Sequence, residues 1–290
     1  MTLSKFKIKD STLNRISKNK QRTSQNLEGL IHGDEVSAEY IAHSYLKYFY
    51  YQLIGEIEPS ETIDSADLYF QVQKFWFDQS GVTEGQPFTS KILGKTINQV
   101  GISSTNNNSA ISYTEWLLMG LILRRYEVIT KTLSNPPNDI EASPESKDRW
   151  NLTEFVYYKA LIEKRTNRPA IYQSALEVAK DPGSIRFLLG GNYEVLPTTP
   201  ERKAWVDHMY LPFLRLFELA ANEEGTAFNE ELASALKTYV KFIEDNDLSY
   251  DRKHWLPIRL LAACAYAHDQ GIRITMESDY LPKWLIEGEL

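Results

Sequence analysis

Near the end of the chain, the stretch MESDYLPKWL (residues 276–285) places two carboxylates, a hydroxyl and a phenol together: Glu277, Ser278, Asp279 and Tyr280. If residues 272–278 are extended, alternate side chains share a side, so Glu277 and Asp279 project together. Close carboxylates raise one another's pKa, and such a pair can exchange protons with a substrate. The same residues also have a plainer use. Ser278 or Asp279 can cap the final helix, whose positive end favours a carboxylate, and Glu277 can meet a cation such as Arg125.

Other chemistry is sparse. The five histidines, His32, His43, His208, His254 and His268, match no zinc-protease or facial-triad spacing. Cys264 and His268 lie one helical turn apart and could act as thiolate and base. They sit, however, in LLAACAYAHD, where Leu260, Leu261 and Cys264 form an apolar stripe that reads as core. One cysteine permits no intrachain disulfide and no cysteine-based zinc site. There is no phosphate cradle, nucleophile elbow or catalytic-lysine signature, and LLGGNYE (188–194) reads as a turn. Neither a metal nor a cofactor is expected.

The elements around these residues are mostly helical. EVSAEYIAHSYLKYFYYQLI (35–54) and DSADLYFQVQKFWFDQ (64–79) carry apolar residues at helical spacing. SYTEWLLMGLILRRYEVITKTL (112–133) is apolar nearly all round and predicts one central helix, with Arg125 on an apolar face. Further helices are expected at 149–164, 169–180, about 200–221, 227–244, 255–270 and 282–287, with Gly271 a left-handed stop after the fifth of these. One small β-hairpin is expected near 88–103, turning on Gly94-Lys95. Residues 104–110 read as a polar loop. An aromatic-Leu-Pro triplet recurs at 210–212, 255–257 and 280–282 and reads as a helix start, except that Pro212 falls inside a helix and should kink it. The fold class is therefore mainly α: stacked antiparallel helices, solenoid-like or an irregular bundle. It is read as one domain over 1–290, with the Pro- and Ser-rich stretch 134–148 the place where it would divide into 1–135 and 148–290.

Composition excludes other classes. Hydrophobic residues make up 42% of the 290, and the longest apolar run, WLLMGLIL, is too short for a membrane span. The basic amino-terminal segment, with Lys5, Lys7, Lys9, Arg15, Lys18, Lys20 and Arg22, has no apolar stretch of signal-peptide type. A net charge of -7 argues against nucleic-acid binding. The carboxyl-terminal third is acidic, and Glu223, Glu224, Glu230, Glu231, Asp245 and Asp247 are the candidate face for a protein partner.

Read together, FNEELASALKTY (228–239) and LPIRLLAACAYAHDQGIRITMESDYLPKWLIEG (256–288) resemble the immunity protein 49 family of bacterial polymorphic toxin systems. The matching positions include Phe228, Asn229, Leu232, Ala235, His268, Asp269, Gly271, Glu277, Ser278, Tyr280, Leu281 and Pro282. Upstream, EWLLMGLILRRYE (115–127) is similar to the family's Trp-led helix ending in an arginine, here Trp116 with Arg124-Arg125. The resemblance implies a cytoplasmic antitoxin that binds and blocks the catalytic domain of a secreted or contact-delivered toxin, with no enzymatic activity of its own. It leaves Trp116, Arg125, Phe228, His268, Gly271, Glu277, Ser278, Tyr280 and Pro282 as residues that hold the fold. Two other readings compete: a helical-repeat scaffold or adaptor for a different protein, and a hydrolase using Glu277 and Asp279.

Overall fold

The computed structural model describes residues 10–34, 36–55, 58–102, 109–134, 149–187, 193–248 and 257–289. The basic residues before Asp10, most of the 104–110 loop, nearly all of 134–148, the Gly190-Gly191 stretch, and His254, Trp255 and Leu256 lie outside them.

The protein is mainly α. A helix that the sequence patterning did not reveal comes first, α1 (Asp10–His32), followed by α2 (Ala38–Ile54) and α3 (Pro59–Ser80). Ser37 starts α2, its hydroxyl accepting from the Tyr40 N–H at 3.2 Å, and Pro59 starts α3 where its missing N–H costs nothing. Next is the hairpin of β1 (Pro87–Ile92) and β2 (Lys95–Val100). Ile92 pairs with Lys95, so the turn residues are Leu93 and Gly94, one position earlier than the Gly94-Lys95 turn expected from sequence. Both have positive φ (53° and 73°), the signature of a type I′ turn, and the Leu93 N–H is held by Gln71 Oε1 at 2.7 Å.

The expected central helix is two helices, α4 (Ala110–Ile122) and α5 (Tyr126–Ser134). Arg124 breaks it, with φ of 56°, while the Arg125 N–H returns to Gly120 O at 2.8 Å and the Arg124 N–H to Leu121 O at 3.2 Å. This is a Schellman stop with arginine where glycine is usual. Hydrophobic periodicity cannot register such a stop, because both helices bury apolar faces.

Then come α6 (Arg149–Ile162) and α7 (Arg168–Lys180). A second antiparallel pair, β3 (Ser184–Phe187) with β4 (Tyr193–Leu196), brackets the stretch read as a turn, so there are two hairpins among the described residues and not one. α8 (Pro200–Trp205) continues through a π-turn (Val206–Tyr210) into α9 (Leu211–Ala221). Pro212 has no N–H to give and its ring crowds the preceding turn, and the wider turn just before it removes the clash. The anticipated kink is thus a π-turn. α10 (Gly225–Asp245), α11 (Ile258–Asp269) and the short α12 (Lys283–Ile286) complete the chain.

α2 packs on α3, α6 on α7 and α9 on α10, each pair joined by a short connection, while α4 touches α3, α5, α6 and α11. Buried side chains from Leu27 to Ile286 form one hydrophobic cluster. Trp116 lies at its centre, stacked on Phe70 at 4.8 Å, with its indole N–H donating to Phe70 O at 3.0 Å. A Cβ on Gly120 would come within 2.6 Å of Ile129 and 2.7 Å of Phe70, so only glycine allows α4 this close to its neighbours. Glu154 is 1% exposed and takes two hydrogen bonds from Arg259, at 2.7 and 2.9 Å, tying α6 to α11. Glu218 does the same between α6, α7 and α9, accepting from Tyr157 OH at 2.9 Å and lying 3.2 Å from Arg168. Among the described residues no helix is long and apolar enough to cross a membrane.

Candidate functional site

The residues of the closing signature come together, but as a clasp. α11 ends at Gly271, with φ of 83°, and the Ile272 N–H returning to Ala267 O at 3.0 Å, as the sequence predicts. The extended segment that follows is held to α10 by Asn229. Its amide donates to Arg273 O at 3.0 Å and accepts from both the N–H and the hydroxyl of Thr275, at 2.9 and 3.0 Å. Phe228, beside it, is fully buried. The chain then reaches Tyr280 and Leu281, both buried, and turns into α12.

Arg124 closes the clasp. Its guanidinium donates to Ile122 O at 2.7 Å, to Leu285 O at 2.8 Å and to Ile286 O, which are carbonyls left open where α4 and α12 end. Nε lies 3.3 Å from Asp269 Oδ1, and the other Asp269 oxygen accepts from Tyr126 OH at 2.6 Å. Burial, and then Asp269 itself, push the Tyr126 phenol far up, so it stays a donor. His268 is half-exposed, with Nδ1 3.7 Å from Asp269. Tyr280 is pushed up to about 12 by burial, with Glu244 and Asp279 adding to it. The arginine of the Trp-led helix that does this work is Arg124.

Arg125, expected on an apolar face, is 48% exposed and pairs with Asp67 at 2.7 Å. The break at Arg124 rotates it outward, away from Glu277, so that suggested pair does not form. Neither Ser278 nor Asp279 caps α12: its first cap position is Pro282, and the Ser278 hydroxyl accepts from the Tyr280 N–H at 3.3 Å in a local turn. Glu277 and Asp279 are both exposed, alternating along the segment with half-buried Ser278. Neither has a resident acid–base partner among the described residues. Cys264 is fully buried and its thiol is pushed up by that burial, which makes it a packing residue. Among the described residues no three His, Cys, Asp or Glu side chains gather as a metal would need.

The six acidic candidates lie along α10 and just beyond its ends. Glu223 and Glu224 precede it, Glu230 is exposed on its second turn, Glu231 is half-buried, and Asp245 and Asp247 close it. A helix of 21 residues spans about 30 Å, so these residues make a stripe, not a cluster. Exposed Lys237 and Lys241 interrupt it, and Lys241 pairs with Asp245 at 2.9 Å. Glu223 (φ 60°) and Asp247 (φ 51°) both occupy the left-handed stop position of a helix. Glycine would be cheaper there, so two carboxylates are held outward at a cost in backbone strain.

Two cavities went unnoticed in the sequence because their walls come from distant segments. One, of about 380 Å³, is walled by Tyr50, Trp205, Tyr210, Phe213 and Tyr239, with Arg259 lying over the Tyr210 ring at 4.5 Å. The other is a groove of about 800 Å³ between α3, the β1–β2 hairpin and α5. The π-turn beside the first was the one advance signal, through Pro212.

Among curated proteins and among solved structures, none matches the chain. A family described as Immunity protein 49 does match, over residues 56–285, which takes in α3, the Trp116 helix, Arg124, Asn229, Asp269 and most of α12. With the match covering most of its length, the chain belongs to the immunity protein 49 family.

Proposed function

We propose that the protein is an immunity protein: it binds a cognate toxin domain, delivered by secretion or cell contact, and neutralises it in the cytoplasm by covering it. The observation that carries this reading is the family membership over residues 56–285. Two features of the molecule support it. Among the described residues no catalytic arrangement surrounds the carboxylates of the closing segment, and the α10 stripe presents acidic side chains at strained, exposed positions where packing does not require them. A basic toxin surface would meet that stripe favourably, and complementary charge chiefly speeds association and selects the partner.

The test is co-expression with the toxin domain encoded beside this protein. Wild-type protein should protect the cells and co-purify with the toxin, and the triple variant E223K/E224K/E230K should bind at least about 10-fold more weakly. Cells that die while no complex forms would end the immunity reading. An unaffected triple variant would move the contact away from α10.

A further inference from the structure

The groove between α3, the β1–β2 hairpin and α5 treats its charges unevenly. On its floor and near wall the cations are already matched: Arg125 with Asp67, and Lys74 with Asp78, which also accepts from the Ser90 hydroxyl at 3.3 Å. Lys91 on the hairpin and Lys131 on α5 are exposed and meet no carboxylate among the described residues. The one other lining charge without an ion-pair partner among the described residues, Glu127, stands in the first turn of α5, where a helix favours an anion. The groove therefore presents two free ammonium groups. Beside the groove is a polar orphan: Thr132 is one of its lining residues, and the Thr132 hydroxyl is buried with no hydrogen-bond partner among the described residues. A buried hydroxyl left unmatched costs free energy that a ligand's polar group would recover. Phe70 and Val128 supply an apolar strip between the charged walls.

We infer that this groove is a docking site for an extended acidic segment of a protein partner, whose carboxylates meet Lys91 and Lys131 and one of whose polar groups satisfies Thr132. At about 800 Å³ it holds several residues of such a segment, and its far wall is a hairpin whose tip Gln71 fixes in place. A nucleic-acid strand fits less well, because Asp67, Asp78 and Glu127 line the same groove and would repel a continuous row of phosphates. That the partner is the toxin rests on the immunity reading; the chemistry of the groove does not.

The experiment is fluorescence anisotropy at low salt, with a labelled peptide of alternating Glu and Leu, its Lys-for-Glu counterpart, and a single-stranded oligonucleotide of equal charge. The acidic peptide should bind saturably, about 10-fold more weakly to K91E/K131E and severalfold more weakly to T132V, with E230K unchanged. K91Q/K131Q, which removes charge from two exposed positions without reversing it, should give a smaller loss in the same direction. No saturation by the acidic peptide, equal binding to K91E/K131E, or tighter binding of the oligonucleotide overturns the proposal. With the toxin domain as ligand, K91E/K131E should again weaken the complex. An unchanged complex overturns the groove as a toxin contact and leaves the immunity reading intact, whereas absence of any wild-type complex removes the immunity reading and leaves the peptide result standing.

Discussion

Two adjacent arginines separate the molecule into contrasting regions. Arg124 turns inward and spends its guanidinium on Ile122, Leu285, Ile286 and Asp269, whereas Arg125 turns outward to Asp67 at the lip of the groove. In the clasp, Asn229 and Asp269 of the signature, together with Arg124, find their partners within the chain. In the groove, and along α10, charges are left pointing into solvent. Much of the family signature read from sequence thus serves the fold's own contacts, with Glu277 left exposed. The contrast predicts that substitutions in the clasp change stability and those in the groove change binding.

The largest effect is expected at Arg124. R124A leaves several carbonyls and Asp269 without their cation and should cost about 2–4 kcal/mol in a urea titration. R124G should recover about 1 kcal/mol of that loss, because glycine adopts the left-handed backbone that Arg124 is forced into. If R124A unfolds at the wild-type midpoint, the clasp does not hold the fold and the contrast collapses. N229A comes next, at about 1–2 kcal/mol, with faster amide exchange expected at Thr275. Exchange unchanged there would show that the segment is held by other contacts.

E223G and D247G should each stabilise the protein by about 0.5–1 kcal/mol, since both relieve positive-φ strain at a helix stop. If these gains come with weaker toxin binding, the carboxylates are kept for the partner; gains without any change in binding would remove α10 from the interface. Smallest of all, K91Q/K131Q should unfold within about 0.5 kcal/mol of wild type, because both lysines are exposed and neither has a carboxylate partner among the described residues. A larger loss would mean that the groove belongs to the scaffold.

Much of the helical layout was legible in advance. The α2, α3, α6, α7, α10 and α11 segments declare themselves through apolar spacing, and Gly271 marks its own stop, because a left-handed stop at low cost asks for glycine. What escaped was where a residue does something atypical of its kind. Arg124 and Leu93 take left-handed backbone that only glycine adopts cheaply, so the sequence carries no warning of the broken helix or of the hairpin turn falling one residue early. α1 was missed for another reason. Its polar composition hides a helix that docks near its end through buried Leu27 and Leu30, beside the Thr23 hydroxyl against Tyr48 OH at 2.8 Å and Lys20 against Glu61 at 3.1 Å.

Of the candidate site, five of the six acidic residues are exposed and Glu231 is half-buried, and their spread along one helix was not foreseeable from counting charges. The groove was invisible, since Lys91, Lys131 and Thr132 belong to segments that meet only after folding.

By itself, the sequence determined a mainly helical protein, an inert buried cysteine, an acidic carboxyl-terminal third and the signature of its family, because composition, periodicity and local stop preferences are properties of neighbouring residues. The tertiary structure decided which of two consecutive arginines is structural, that Asn229 and Asp269 bind the last segment, and that two lysines line an open groove beside a buried hydroxyl with no partner among the described residues. Those outcomes depend on which distant polar groups are brought within hydrogen-bonding distance and which are left without a partner, and no local pattern encodes that.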